Sequence, residues 1–213
     1  MTEPVVASDG SHSPLARELA ALLTAEYGLR TRVRPVIAIA GESGSGKSVT
    51  ASSLALALSA DGVRAAVLHQ DDYFVRPPRA NHEHRTHDLS SVGVQEVNGT
   101  LLKSHVADFR AGRDGVAVPR VDYPTDSFQL ARMDFAAVAV LVVEGTYALR
   151  LVDADVRVFL EATHDDTRER RRIRNRDIDA PIIDQILEIE HDIIGAQRDL
   201  AQIIVDRDFN VRR

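Results

Sequence analysis

A glycine-rich stretch, Gly41-x-x-x-x-Gly46-Lys47-Ser48, has the residue types and spacing best suited to chemistry. Glycines allow backbone angles that a side chain would forbid, so bare N–H groups can wrap around a polyphosphate. Lys47 would place a positive charge against the β- and γ-phosphates, and Ser48 would offer its hydroxyl to Mg²⁺. The stretch therefore predicts a nucleotide-binding loop. Its candidate ATP contacts are Gly41, Glu42, Ser43, Gly44, Ser45, Gly46, Lys47 and Ser48.

The residues around this loop predict the elements that would position it. Residues 36–40 are short and apolar, as expected of a buried parallel strand. Residues 49–60 carry apolar side chains at helical spacing, and Asp61-Gly62 ends the pattern. A helix that begins near Lys47 points its positive end at the same anion. Strand, loop and helix in this order favour a phosphate-binding loop over an accidental Gly/Ser-rich turn.

Acidic residues follow two further apolar runs. Residues 63–68 predict a strand that leads to Asp71, and residues 136–143 predict a central strand that ends at Glu144. Ligands of open parallel sheets bind at the carboxyl ends of the strands, so both acids should face the loop. Asp71 is the candidate general base for a substrate hydroxyl, or else a water-mediated Mg²⁺ ligand. Glu144 is typical of an acid that holds Mg²⁺ or its water. The alternative for each is an acid that follows a strand by chance.

Residues 76–93 are polar and are expected to form a long irregular loop with a functional role. We interpret its imidazoles and carboxylates, His84 and Asp88 in particular, as substrate hydrogen-bonding groups. Zinc ligation and simple solvation are the alternatives. Two tyrosines near the same region, Tyr73 and Tyr123, are further candidate substrate contacts. Three arginines here would either meet an anionic substrate or carry surface charge: Arg76, Arg79 and Arg85. A short strand at 116–119 is expected to stop at its proline.

Six arginines are concentrated between residues 163 and 177. Guanidinium groups on a helix match the negative charge that phosphoryl transfer spreads over the γ-phosphoryl oxygens. We therefore predict a lid at about residues 164–181, with Arg168 as a candidate ATP contact and Arg172 and Arg176 as candidate catalytic residues. A solvated, charge-rich helix is the alternative, as is an RNA-binding arm.

Composition restricts the remaining possibilities. The chain has 213 residues and a formal net charge of −6, which suits one domain and disfavours nucleic acid as a partner. It has no cysteine, so neither disulfides nor thiolate metal sites are available. We see no secretory signal and no apolar run long enough to cross a membrane, and we expect a cytoplasmic protein. The sequence leaves a monomer or a homo-oligomer open.

The alternation of strands and helices predicts an α/β fold. We expect a three-layer sandwich with a mostly parallel, five-stranded sheet and a short arginine-rich lid. Residues 1–34 would form a tail and a helix, and residues 35–213 the domain that carries the phosphate loop.

In their order along the chain, these motifs resemble the uridine kinase and phosphoribulokinase family of P-loop kinases over about residues 36–208. The resemblance rests on five segments: 41–48, 70–74, 119–123, 144–145 and the run from Thr167-Arg168 to Arg176-Asp177. It implies an ATP- and Mg²⁺-dependent kinase in which Asp71 deprotonates the acceptor hydroxyl and Glu144 is the Walker-B-like acid. It also implies that some of the lid arginines, Arg168, Arg172, Arg174 and Arg176, contact the phosphates.

Three segments depart from the family pattern. Residues 81–88 match poorly the Asn-x-Asp-His-Pro-Asp-like segment that grips ribose in uridine kinases. Val121 stands where an aromatic residue is expected, and residues 177–181 replace an Arg-Gly-Arg. Uridine or a related nucleoside is the first expected small-molecule acceptor. A non-nucleoside metabolite of the pantothenate, sugar or sugar-phosphate type is the alternative, and a nucleotide-dependent switch protein is another.

Overall fold

A six-stranded sheet forms the centre of the protein. The computed structural model describes residues 12–167 and 181–213. The strands of this sheet are β1 (Val36–Gly41), β2 (Ala65–His69), β5 (Val140–Glu144), β6 (Val156–Leu160), β7 (Ile203–Val205) and β8 (Val211–Arg212). Their order is β2-β5-β1-β6-β7-β8. The first five are parallel and β8 is antiparallel to β7. The predicted five-stranded parallel sheet is confirmed, and β8 extends its edge.

Helices and a separate hairpin complete the fold. The helices are α1 (His12–Ala25), α2 (Lys47–Ala60), α3 (Pro78–His87), α4 (Gly99–Arg110), the short α5 (Ala148–Leu151) and α6 (Pro181–Gly195). The hairpin pairs β3 (Val116–Asp122) with β4 (Ser127–Met133). Within the described ranges, no helix combines the length and the apolar character needed to cross a bilayer.

The sheet is buried on both faces because its strands alternate their side chains between two cores. In β1, Ile37 and Ile39 pack with apolar residues of α1 and α2. Val36 and Ala38 face the opposite core, where Phe109 of α4 packs. This division produces the predicted three-layer α/β sandwich.

Two local predictions are wrong. Residues 76–93 are not an irregular loop, because α3 occupies most of them. Pro78 at the start of this helix has the backbone angle that a first helical turn requires. Pro119 does not stop its strand, because β3 continues to Asp122 with Pro119 opposite Leu130. A two-stranded hairpin exposes an edge of each strand, where a residue without an N–H is tolerated.

Candidate active site

The carboxyl ends of three neighbouring strands meet the phosphate loop beside one cavity of about 270 Å³. Glu144 of β5 lies opposite Ile39 of β1 and His69 of β2, so the ends of these strands are level. The cavity is lined by Ser43, Gly44, Lys47, Ser48, Asp71, Phe74, Pro78, Asn81, His82, Arg85, Glu144, Thr146, Ile183, Ile186, Leu187 and Glu190. The phosphate loop thus shares one chamber with residues of α3, α6 and the segment after β2.

The phosphate loop has the shape that a polyphosphate requires. Gly46 caps α2 with a φ of 98°, a left-handed conformation that favours glycine. Lys47 is almost fully buried, and its Nζ donates a hydrogen bond of 2.8 Å to the carbonyl oxygen of Glu42. The buried hydroxyl of Ser45 has no hydrogen-bond partner among the described residues. An anion held by this loop would supply the missing partner.

Glu144 is a buried carboxylate at the floor of the cavity, with 3% of its surface exposed. It accepts a hydrogen bond from Ser48 and lies 2.7 Å from Nδ1 of His69. Burial alone raises the pKa of Glu144, but His69, Lys47 and Ser48 outweigh it and hold that pKa below its usual value. Burial lowers the pKa of His69, but its contact with Glu144 more than reverses this and raises that pKa. Glu144 and Ser48 therefore present adjacent oxygen ligands, of the kind that Mg²⁺ prefers.

Two neighbouring aspartates after β2 have different environments. Asp72 is buried and accepts hydrogen bonds from Arg120 Nη1 at 2.6 Å and from the N–H of Val121 at 2.8 Å. These contacts tie the turn at Gln70–Tyr73 to the β3–β4 hairpin. Asp71 is only partly buried and lines the cavity with Lys47. Of the pair, Asp71 is the one that lines the cavity.

A polar network formed by α3, α6 and the turn at Val94–Glu96 borders the cavity on the side of α3. Arg85 bonds both carboxylate oxygens of Glu96, at 2.5 and 2.9 Å, and lies 3.0 Å from Oε1 of Glu190. Asn81 donates from Nδ2 to Glu96 at 3.0 Å, while its Oδ1 is buried without a partner in the described part of the chain. Asn81 also lines the cavity, although this oxygen itself is buried.

Glu190 is a buried carboxylate of this network whose charged form is disfavoured. Burial and the charge of Glu96 raise its pKa, against the opposing charges of Arg85 and Lys47. Tyr147 donates a long hydrogen bond of 3.5 Å to it. One guanidinium thus serves two carboxylates.

The predicted substrate residues separate into two groups. Tyr123 lies 3.5 Å from Oδ2 of Asp71 and lines a smaller adjoining cavity of about 110 Å³. Tyr73 is buried, hydrogen-bonds His105 at 2.8 Å and lines neither cavity, so its placement at the substrate is corrected. His84 and Asp88 also lie outside both linings, and their contact with the substrate stays a prediction. Asp88 instead caps the turn at Leu89–Ser91 through Ser90.

The predicted lid lies mostly outside the described residues. Arg168, Arg172, Arg174 and Arg176 belong to that part of the chain. Its described beginning contacts the phosphate loop, since Thr167 Oγ1 donates a hydrogen bond of 2.8 Å to the carbonyl oxygen of Ser43. The assignment of individual arginines to the phosphates remains a prediction.

Sequence reasoning missed Asn81, Glu96 and Glu190 as site residues. Asn81 was assigned to an irregular loop, and Glu190 lies on a helix with an ordinary apolar pattern. The one available signal was the unusual density of polar groups in residues 81–88. This signal indicated the α3 side of the cavity and not the individual residues.

The fold and the phosphate loop define a nucleotide-binding α/β protein with a second, polar compartment beside the loop. Comparison with known proteins specifies it further: the model of the phosphoribulokinase / uridine kinase family matches residues 36–206. The chain belongs to this family and is a kinase.

Individual relatives agree with this assignment. The chain is 33% identical over 192 residues to a bifunctional alpha-galactosidase/sucrose kinase from Mediterraneibacter gnavus. The matched region covers 84% of this chain and 20% of that protein. This chain therefore spans about a fifth of that relative's length. It is 29% identical over 154 residues to a uridine kinase from Ureaplasma parvum, covering 69% and 72% of the two chains. The structure of a possible uridine kinase from Bacillus stearothermophilus superposes with a TM-score of 0.62 at 21% identity, covering 90% and 97%.

Proposed function

We propose that this kinase transfers the γ-phosphoryl group of ATP to a hydroxyl of a neutral, polyhydroxylated small molecule. A sugar is the first candidate and a uridine-like nucleoside the second. The observation that carries the proposal is that Asp71, Lys47, Ser48 and Glu144 all line one cavity, into which Asn81 also faces. This grouping supports a base, a phosphate-binding cation and oxygen ligands for Mg²⁺ that act within one chamber.

The nucleotide side fits ATP and Mg²⁺. Left-handed Gly44 and Gly46 open the loop backbone, and the unpartnered hydroxyl of Ser45 is a group that a phosphate oxygen would satisfy. Ser48 and Glu144 would hold Mg²⁺, directly or through water. The ion, when bound, neutralises negative charge on the β- and γ-phosphates.

In the proposed transfer step, Asp71 is the base that acts on the acceptor hydroxyl. The acceptor oxygen forms a bond to the γ-phosphorus while the bond from that phosphorus to the β–γ bridging oxygen breaks and ADP leaves. The hydroxyl proton passes to the Asp71 carboxylate. Lys47 stabilises the charge on the transferring group, and most of the rate comes from positioning and from this electrostatic stabilisation.

The α3 side of the cavity favours a neutral acceptor. Arg85 is already paired with Glu96 and Glu190, so an added phosphate would compete with two carboxylates for one guanidinium. Oδ1 of Asn81, which has no partner among the described residues, would accept a hydrogen bond from a ligand hydroxyl if the Asn81 side chain turned toward the cavity that it lines. A hydroxyl-rich, uncharged molecule matches both features.

The relatives support both neutral candidates. The Mediterraneibacter gnavus protein is named in part a sucrose kinase, and the Ureaplasma parvum protein is named a uridine kinase. We place the sugar first because the former is the more similar in sequence and covers more of this chain.

One observation favours a phosphorylated acceptor instead. Arg76 lines the smaller cavity with Tyr123, and no carboxylate partner of Arg76 is found among the described residues. A sugar phosphate that extends into this cavity would meet the Arg76 guanidinium.

Acceptor-dependent ADP release distinguishes these possibilities. The panel contains sucrose, fructose, glucose, uridine, pantothenate and the corresponding sugar phosphates, each with Mg²⁺ and ATP. We expect a neutral sugar to give the highest kcat/KM. A sugar phosphate with the highest kcat/KM, reduced in Arg76→Ala, would replace the neutral acceptor by an anionic one. Slow ADP release that no acceptor stimulates would favour the nucleotide-dependent switch and contradict the kinase mechanism.

A further inference from the structure

We propose that Glu42, His164 and His191 form a binding site for one transition-metal ion, with Zn²⁺ as the best match. The site joins the phosphate loop to the segment after β6 and to α6. It is separate from the Mg²⁺ position of the proposed kinase reaction, because none of the three residues lines the cavity.

The three side chains already converge. Glu42 Oε1 lies 2.6 Å from Nδ1 of His191, and Oε2 lies 3.0 Å from Nδ1 of His164. One potential ligand atom from each residue lies within 4.8 Å of the other two. The imidazole rings meet edge to face, with centroids 5.6 Å apart. A small ion between these atoms would need shifts of a few tenths of an ångström, since Zn²⁺ bonds to nitrogen and oxygen are about 2.0–2.2 Å long.

The types of ligand select the class of metal. Two imidazoles and one carboxylate are a common zinc set, and they leave a fourth position for water. Nitrogen donors favour Zn²⁺ and its neighbours over Mg²⁺, which prefers oxygen ligands and retains its waters. The site therefore discriminates against the ion that accompanies ATP.

The surroundings of Glu42 make a cation favourable. Only 6% of its surface is exposed, and a buried carboxylate is costly unless its charge is compensated. In the described residues, its ion-pair partners are the two histidines and include no lysine or arginine side chain. The backbone N–H of His164 donates to Oε2 at 2.5 Å and fixes the carboxylate between the rings. A divalent ion bound here would compensate that charge.

A metal here would act as a brace across the phosphate loop. The Glu42 carbonyl accepts the bond from Lys47, and Thr167 bonds the neighbouring Ser43, so the ion would tighten a connection that already holds the loop. Its expected effects are a higher melting temperature and a more rigid attachment of α6, which carries Glu190 to the cavity.

Zinc affinity measured by chelator competition tests the proposal, with no nucleotide and with excess Mg²⁺ present. We expect one Zn²⁺ per chain with a micromolar or lower Kd. Substituting Co²⁺ for Zn²⁺ should give the visible absorption of a four-coordinate cobalt site. His191→Gln and His164→Gln each retain a side-chain N–H donor for Glu42 but lose the imidazole ligand. Each should weaken zinc binding by more than the roughly 10- to 100-fold that loss of an outer-shell partner costs.

Matched controls keep the test decisive. His87→Gln changes an exposed imidazole of α3 and should leave the zinc Kd unaltered. Melting temperatures in chelator show whether each variant folds, and Glu42→Gln replaces any histidine variant that does not. The proposal is overturned if the wild type binds no zinc. It is also overturned if the ligand variants bind zinc as the wild type does, or if His87→Gln abolishes binding. In each of these cases, acceptor-dependent ADP release tests the proposed kinase function separately.

Discussion

The nucleotide half and the α3 half of the cavity each contain a buried carboxylate, and the protein treats the two in opposite ways. Glu144 is surrounded by His69, Lys47 and Ser48, which hold its pKa below the usual value. Glu190 shares Arg85 with Glu96, and burial raises its pKa. The first arrangement stabilises the negative charge of Glu144, which a cation can bind. The second disfavours the charged form of its carboxylate, and this difference underlies the proposed division between phosphate and polyol.

The two halves also differ in their origin along the chain. The nucleotide half uses a continuous loop and two strand ends that the parallel sheet brings to one level. The α3 half is assembled from α3, the turn at Val94–Glu96 and α6. Changes in the first half should therefore affect ATP and catalysis together, and changes in the second should affect the acceptor alone.

The largest effect is expected for Lys47→Ala. Loss of the buried ammonium removes the charge that stabilises the transferring phosphoryl group and should lower kcat by about 10³-fold. ATP affinity should fall as well, which a nucleotide titration measures. Lys103→Ala, an exposed lysine on α4, is the matched control and should leave both quantities unchanged. An unaltered ATP titration for Lys47→Ala would contradict the position of the triphosphate.

A large effect on stability, with little effect on kcat, is expected for Asp72→Asn. It breaks a buried charge pair with Arg120 and should reduce the free energy of unfolding by about 3 kcal/mol. Denaturant unfolding at neutral pH measures the loss. If Asp72→Asn were instead stable and catalytically dead, the roles that we assign to the neighbouring aspartates would be reversed.

A smaller and more selective effect is expected for Asn81→Ala. Removal of one hydrogen bond to the acceptor should raise the acceptor KM by roughly fivefold, because such a bond contributes about 1 kcal/mol. The KM for ATP should not change, since Asn81 lies on the α3 side. A parallel rise in both KM values would show that the two halves are not separate.

The smallest effect is a pH dependence at Glu190, measured in the presence of a chelator. Its raised folded-state pKa means that the folded protein binds this proton more tightly than the unfolded chain does. The ionised form therefore costs stability, and the cost grows as pH rises from about 4.5 through the folded-state pKa. The stability of Glu190→Gln relative to wild type should increase over that range and then level off. A relative decrease would mean that the Glu190 charge is favourable, as that of Glu144 is.

The sequence predicted what depends on local pattern. The strand–loop–helix unit around Gly46 and the acids at the ends of β2 and β5 follow from periodicity and from the geometry of parallel sheets. Sequence alone did not show which side chains of the turn at Gln70–Tyr73 face the cavity. That choice depends on Arg120 and His105, which the tertiary fold brings to Asp72 and Tyr73. Asn81 and Glu190 were missed for the same reason, because their roles arise from contacts with Arg85 and Glu96 across separate segments.

Rapid-quench measurement of phosphorylated acceptor in Asp71→Asn, under single-turnover conditions with saturating ATP, tests the central claim most directly. If Asp71 receives the acceptor proton beside the bound triphosphate, the transfer rate should fall by about 10²-fold or more while the Kd for ATP is unchanged. Transfer at the wild-type rate would contradict the assignment of Asp71 and, with it, the proposed placement of the acceptor in this cavity.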